Sequence, residues 1–349
     1  MTETIHAPRP RLMLLAATTM LASGLGVQHA FAWGHTGHVE ISYLAASALP
    51  SDVPAFLRTP DTAQAIGQLG PEPDISKTSG TTHDSERDAG HYVDLNDDGT
   101  VPGGSLLKAD GTPVTLTREG FDTMLRAGGS DQYQEGYLPY NIVDGWQQVR
   151  KDLAYIRADQ IGLATATNDT DRQYFAYQLG LRQQLTIRDI GVWSHYVGDG
   201  SQPLHVSIHY NGWGNYPNPN GYTTKPIHAQ FEGAFVKNFV PLSTISALVP
   251  AYHNCGCAIE TRVSRYMMQT LSQVQPLYQV AKIDLFTTPN PTEVQFAAQQ
   301  LANGAAELRD EIYDAWKSSE TISVGYPLIA VTDIESGKVH LTSTSFAAD

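Results

Sequence analysis

Cysteine is nearly missing: Cys255 and Cys257, in the run CGC, are the only two among 349 residues. A disulfide framework is therefore excluded, and the chain must be held by its core or by metals. HNCGC, with His253, reads as a loop closed by a local disulfide, with a soft metal site as the alternative. Basic charge is scarce as well, 22 Lys and Arg against 36 Asp and Glu for a net −14. That balance excludes a general basic surface for duplex nucleic acid. Linkers, low-complexity tracts and internal repeats are absent too, so nothing divides the chain into separate domains.

Long apolar runs are missing with one exception, LMLLAATTMLASGLGV, which follows Arg9 and Arg11 and leads to Ala30-Phe31-Ala32. The run is too short to span a bilayer and is broken by Gly24 and Gly26. Basic residues before it and an A-x-A site after it make residues 1–32 a secretory signal peptide. Cleavage leaves 349 − 32 = 317 residues starting at Trp33, and removing Glu3, Arg9 and Arg11 gives the mature chain about −15. The expected location is the periplasm or the cell exterior.

Helical periodicity dominates what is there. Helices are expected over 37–48, 143–158, 171–199 (capped by Thr170 and Asp171), 228–238, 257–273 and 292–317, the last capped by Thr292. Its stripe is Val294, Leu301, Ala305, Leu308, Ile312 and Trp316. Residues 95–114 and 210–226 are long loops rich in turn formers, a length often tied to function. Alternating apolar residues over 321–344, with a turn at Glu335-Ser336-Gly337-Lys338, suggest a β-hairpin. The reading is a mainly α, single helical domain over residues 33–349 with long loops.

WSHYVGDGSQPLH, residues 193–205, places His195 and Asp199 four apart, on one helix face. Gln202-Pro203 ends that helix and turns the chain, which frees His205 to face another way. HAQFE repeats the device with His228 and Glu232, after a Pro226 suited to a helix start. Upstream stand Trp33 and His38 in WGHTGH, Asp74 in PEPDISK and His91 in GHYVDL. Signal cleavage would give Trp33 a free α-amine of pKa about 7.7–8.0, able to chelate a cation together with its carbonyl oxygen. Five imidazoles, three carboxylates and this chelate suit zinc better than magnesium or calcium, and three zinc ions would use them all. Three divalent ions against three carboxylates leave about +3, a positive pocket in an acidic protein.

These motifs resemble the secreted zinc-dependent single-strand nucleases of fungi and plants, and the bacterial zinc-dependent phospholipases C that share their fold. The likeness rests on W-G-x-x-G-H at Trp33 to His38, Asp74, H-Y-V-D at His91 to Asp94, H-Y-V-G-D-x-x-Q-P-L-H at His195 to His205, and H-x-x-x-E at His228 to Glu232. The resemblance implies that Asp74, His91, His195 and Asp199 hold one zinc. It gives a second to Trp33 and His38, with Asp199 bridging, and a third to His205, His228 and Glu232. Water activated between the bridged ions would attack phosphorus, making Asp74, Asp199 and Lys77 the residues nearest the chemistry. Tyr92 and Asp94 match the residues that stack on and hydrogen-bond a nucleobase; a strand-edge tyrosine and a turn aspartate are the plain alternative.

Two departures divide the family evidence. The nucleases usually have Asp where this chain has Glu232, and the phospholipases have Glu. The nucleases also carry Arg where Lys77 stands, a planar fork replaced by a point charge. Against the phospholipases, Thr36 stands where they carry a Glu that meets the choline head group. The expected function is hydrolysis of single-stranded DNA or RNA, extending to 3′-nucleotides, with a phospholipase C as first rival and a non-catalytic zinc-binding protein as the remote one. No stable protein partner is inferred.

The remaining motifs are weaker. DLNDDG from Asp94 opens like a calcium loop but has Ser105 where the bidentate Glu belongs, so it reads as a solvated turn. His35, His83, His209 and His340 lack partner patterns and read as surface histidines or supports for ligands. Trp213 and Tyr216 suit either a wall of the substrate cleft or an anchor for their loop. Asn168-Asp169-Thr170 is a glycosylation sequon.

Overall fold

Two long helices carry the architecture. In the computed structural model, which describes residues 33–77 and 87–346, Leu138–Thr165 (28 residues) and Asp169–Asp199 (31 residues) run as one hairpin joined by a turn at Ala166–Asn168. Against this pair lie Gly34–Ser47, Pro60–Leu69 and Pro291–Ser318. In chain order the principal helices are α1 (Gly34–Ser47), α2 (Pro60–Leu69), α3 (Glu72–Lys77), α4 (Arg118–Ala127), α5 (Leu138–Thr165), α6 (Asp169–Asp199), α7 (Ile259–Leu271), α8 (Val274–Ala281) and α9 (Pro291–Ser318). The fold is mainly α, and the described residues fall in one compact unit. No described helix is long and apolar enough to cross a membrane. The expected signal peptide, residues 1–32, and His83 lie outside the described residues.

The stripe read on the last long helix is the buried face of α9: Leu301, Ala305, Leu308 and Ile312 are fully buried, while Val294 and Trp316 pack at its edges. The caps differ from expectation. The side chain of Asn168, not Thr170 or Asp171, accepts the Asp171 N–H at 2.9 Å to start α6, and the Asp171 carboxylate is instead taken by the Ser343 N–H. Asn290, not Thr292, caps α9, with Pro291 in the first turn where its missing donor costs nothing.

The C-terminal hairpin exists, but not at the expected turn. Strands β3 (Ser323–Val324) and β4 (Ile329–Ala330) pair antiparallel around Gly325–Leu328, whereas 335–338 ends a short helix, Val331–Glu335. Both turns hold a glycine in the left-handed region, Gly325 and Gly337, a signal that hairpin turns and helix ends share. The 95–114 loop holds a second small hairpin, β1 (Thr100–Val101) with β2 (Gly104–Ser105). Cys255 and Cys257 form a disulfide, which removes the soft metal reading of HNCGC.

Candidate metal centre

The site is built where α6 meets α1 and the chain beyond it doubles back. α6 ends at Asp199 with Gly200 as its cap, and Pro203–His205 forms a tight turn in which the Gln202 side chain accepts the Leu204 N–H at 2.7 Å. The two motif histidines are thereby set on opposite sides of a reversal. Gly198 lets α1 come close: a Cβ there would lie 3.1 Å from His38 Nδ1. A side chain there would crowd the His38 ring.

Three groups of ligand-type side chains converge, all buried: His38, His195 and Asp199; Asp74, His91 and His195; and His205, His228 and Glu232. Asp199 faces two of them. Its Oδ1 is 3.4 Å from His38 Nε2, while its Oδ2 is 3.1 Å from His91 Nδ1 and 3.4 Å from His195 Nε2. Asp74 Oδ1 completes that side, 3.6 Å from His195 Nε2. In the third group His228 Nε2 lies 2.7 Å from Glu232 Oε2 and 3.0 Å from His205 Nε2. The eight side chains expected as ligands all fall in these three groups; the third has the expected members, while His195 lies with His38 and Asp199 as well as with Asp74 and His91.

Hydrogen bonds from the far ring nitrogens decide which lone pairs point inward. His195 Nδ1 donates to the Gly70 carbonyl at 2.8 Å and His205 Nδ1 to the His91 carbonyl at 2.7 Å, so each presents an unprotonated Nε2 when neutral. Burial pushes His38, His91 and His195 well below their ordinary pKa and His228 down to about 4. These rings stay neutral near pH 7, with lone pairs available. Burial, reinforced by Asp74, raises Asp199 well above its usual range, and burial lifts Glu232 to about 7. Neutral nitrogens aimed at one another, and carboxylates without enough positive charge, are what a bound cation resolves. His38 supports this directly, since neither of its buried ring nitrogens makes a hydrogen bond, and Asp199 Oδ1 makes none. Three buried His/Asp/Glu groups could thus hold metal ions.

Lys77 is buried beside the Asp74, His91 and His195 group, with Nζ 3.0 Å from Asp74 Oδ1 and 3.3 Å from Asp88 Oδ1. Burial alone would lower its pKa, but the two carboxylates outweigh it and hold the ammonium above its ordinary value. Trp33 starts α1 fully buried, its indole N–H donating to Ser201 Oγ at 2.7 Å. The next residue, Gly34, has φ +38°, and a Cβ on it would sit 3.2 Å from the Glu232 backbone carbonyl oxygen. Gly34, His35, Pro71, Asp74, Ile75, Ala229, Glu232 and Gly233 line a cleft of about 410 Å³ that opens on the ligands. Ile75, on its lip, is an exposed apolar side chain.

Tyr92 and Asp94 follow His91, and they hydrogen-bond to Tyr133 and Glu135 respectively. Tyr92 is half-buried and its hydroxyl donates to the Tyr133 carbonyl. Asp94 turns toward Glu135, and burial, helped by Glu135, raises its carboxyl well above the usual range. The DLNDDG turn is closed by Asp98 Oδ1, which accepts from the Thr100 backbone and hydroxyl.

His209 is the clearest miss. Read as a histidine without a partner, it is fully buried, stacked on Trp213 at 3.7 Å, with Nε2 3.2 Å from Asp97 Oδ1. Trp213 accordingly packs its loop against the core, while Tyr216 stays exposed. His35 and His340 are exposed, as expected of them. Gln202 was also missed, and its buried amide donates to Glu232 Oε2 at 3.2 Å. The sequence shows it before Pro203, as a helix stop, and inside the H-Y-V-G-D-x-x-Q-P-L-H motif with no role of its own. No family model matches the chain, and neither a curated protein nor a solved structure does.

Proposed function

We propose that this chain is an exported phosphodiesterase using three zinc ions, with single-stranded DNA or RNA as substrate and 3′-nucleotides as a smaller one. The observation that carries the reading is Asp199, whose two oxygens face two different ligand groups. A protein that merely stored zinc would gain nothing from a shared carboxylate. Shared ligation holds two cations close enough to act on one phosphoryl group.

Nitrogen and carboxylate donors in these proportions fit zinc. Asp74, His91, His195 and Asp199 would hold one ion, His38, Asp199 and the Trp33 main chain a second, and His205, His228 and Glu232 a third. When bound, zinc supplies Lewis-acid activation of water and of the phosphoryl group. The chain's own part is to orient and to balance charge. The Gly70 and His91 carbonyls fix the ring orientations of His195 and His205, and Gln202 holds Glu232. Lys77 places a buried ammonium beside Asp74, suited to steadying charge on a phosphoryl oxygen.

Phospholipase C activity is the second reading, favoured by Glu232 alone. The test gives purified protein, with and without chelator, single-stranded DNA, RNA and phosphatidylcholine. Chelator-sensitive cleavage of nucleic acid supports the proposal, and cleavage of lipid alone overturns it. Full zinc occupancy without hydrolysis of any of them leaves a zinc-binding protein.

A further inference from the structure

His228 and Glu232 do not sit on a plain α-helix. After His228 and Ala229 the chain widens into a π-helical turn, Gln230–Phe235, before resuming as Val236–Phe239. Such turns are less stable than α-helix and persist where surroundings hold them. What surrounds this one is unusual. Leu285 and Phe286 both adopt left-handed backbone, φ 62° and 60°, a conformation costly for side chains of their size.

That costly loop is fastened at both ends. The Leu285 N–H donates to the Ala281 carbonyl, and the Phe286 N–H donates to Oε1 of the fully buried Glu293 at 3.1 Å. The result is to aim Phe286 at the π turn. Its ring is buried 4.6 Å from Phe231 and 5.3 Å from Phe235, and Phe231 in turn lies 5.3 Å from Trp33. Its carbonyl accepts the side-chain N–H of Gln230 at 2.8 Å. Gln230 lies midway between the two ligands.

We propose that the Asp284–Thr288 loop is a positioning brace for the His205–His228–Glu232 group. Gln230 hydrogen-bonded to Phe286, and the Phe286 ring against Phe231 and Phe235, hold the π turn in the register that points His228 and Glu232 at His205. Gln230 and Phe286 are positioning residues and touch neither ion nor substrate. The proposal rests on the reading of that group as a zinc site.

The test measures zinc retained by the full chain against a graded series of chelators, for wild type, Gln230→Ala, Phe286→Leu and, as reference, Glu232→Gln. Gln230→Ala is expected to weaken one ion about 10- to 100-fold while the others hold as in wild type. Thermal unfolding of the chelated variant should stay close to that of chelated wild type. Adding Gln230→Ala to Glu232→Gln should cause no further loss, because both act on one ion. Phe286→Leu keeps the carbonyl acceptor and thins the wall, so a smaller loss of the same ion is expected. Unchanged affinity in both brace variants, or a loss shared equally by all ions, overturns the brace alone. A wild-type chain that holds no zinc at that group overturns the underlying reading, and the brace with it.

Discussion

Asp199 Oδ1 faces His38 Nε2 at 3.4 Å across the contact between α6 and α1. The other oxygen of the same carboxylate serves His91 and His195. Asp199→Asn should therefore lower zinc content by about two ions, against about one for Glu232→Gln. Metal analysis after exhaustive dialysis counts both. Equal losses in the two variants would mean that Asp199 serves a single site.

Trp33 gives a processing test. If its amine is a ligand, a version retaining even one residue before Trp33 should lack one zinc and most activity, because an amide nitrogen does not replace an amine of pKa about 7.7–8.0. Zinc content and hydrolysis of single-stranded DNA, measured for the extended and trimmed forms, decide it. Full activity in the extended form removes Trp33 from the ligand set.

Lys77 separates binding from chemistry. Lys77→Met should lower kcat by about 10²- to 10³-fold with zinc content unchanged, as expected for losing one donor aimed at developing charge. Lys77→Arg keeps the charge and should retain most of the rate. A rise in KM with kcat intact would place Lys77 in ground-state binding.

The third group should also set a pH dependence. Burial holds the Glu232 carboxyl at about 7, above the ordinary 4.5, and the His228 imidazole at about 4, below the ordinary 6.5. For the metal-free fold, Glu232 contributes stability at low pH that is lost as pH rises through about 7. His228 contributes the opposite way: its share is present above 6.5 and lost as pH falls toward 4. Near neutrality the proton a cation must displace is the one on Glu232, so affinity at this group should fall about tenfold per unit below pH 7. Chelator competition from pH 3.5 to 7.5 measures the slope. A flat profile that dips only near pH 4 would assign the displaced proton to His228.

Much of the site was legible because its ligands come in local pairs. His195 with Asp199 and His228 with Glu232 are each four apart, and Pro203 announces the reversal that redirects His205. α6 and α9 were legible for a similar reason, as long periodic runs, although their capping residues are Asn168 and Asn290 and not those expected. What escaped depends on contacts made only after folding. His209 finds Asp97 across 112 positions, and the widened turn at Gln230–Phe235 answers to Phe286, far along the chain. The hairpin turn escaped for another reason: Gly325 and Gly337 carry the same local signal, and packing chose between them.

His205 Nδ1 donates to the His91 carbonyl, and the Val93 N–H donates back to the His205 carbonyl at 2.9 Å. The two strands of chain that lead into different ligand groups are thus buttoned together by a reciprocal pair of bonds. Opening one requires opening the other. In hydrogen exchange the Val93 amide should consequently behave as a reporter for both, slow while either is intact, and chelation should release it together with its surroundings in a single cooperative step.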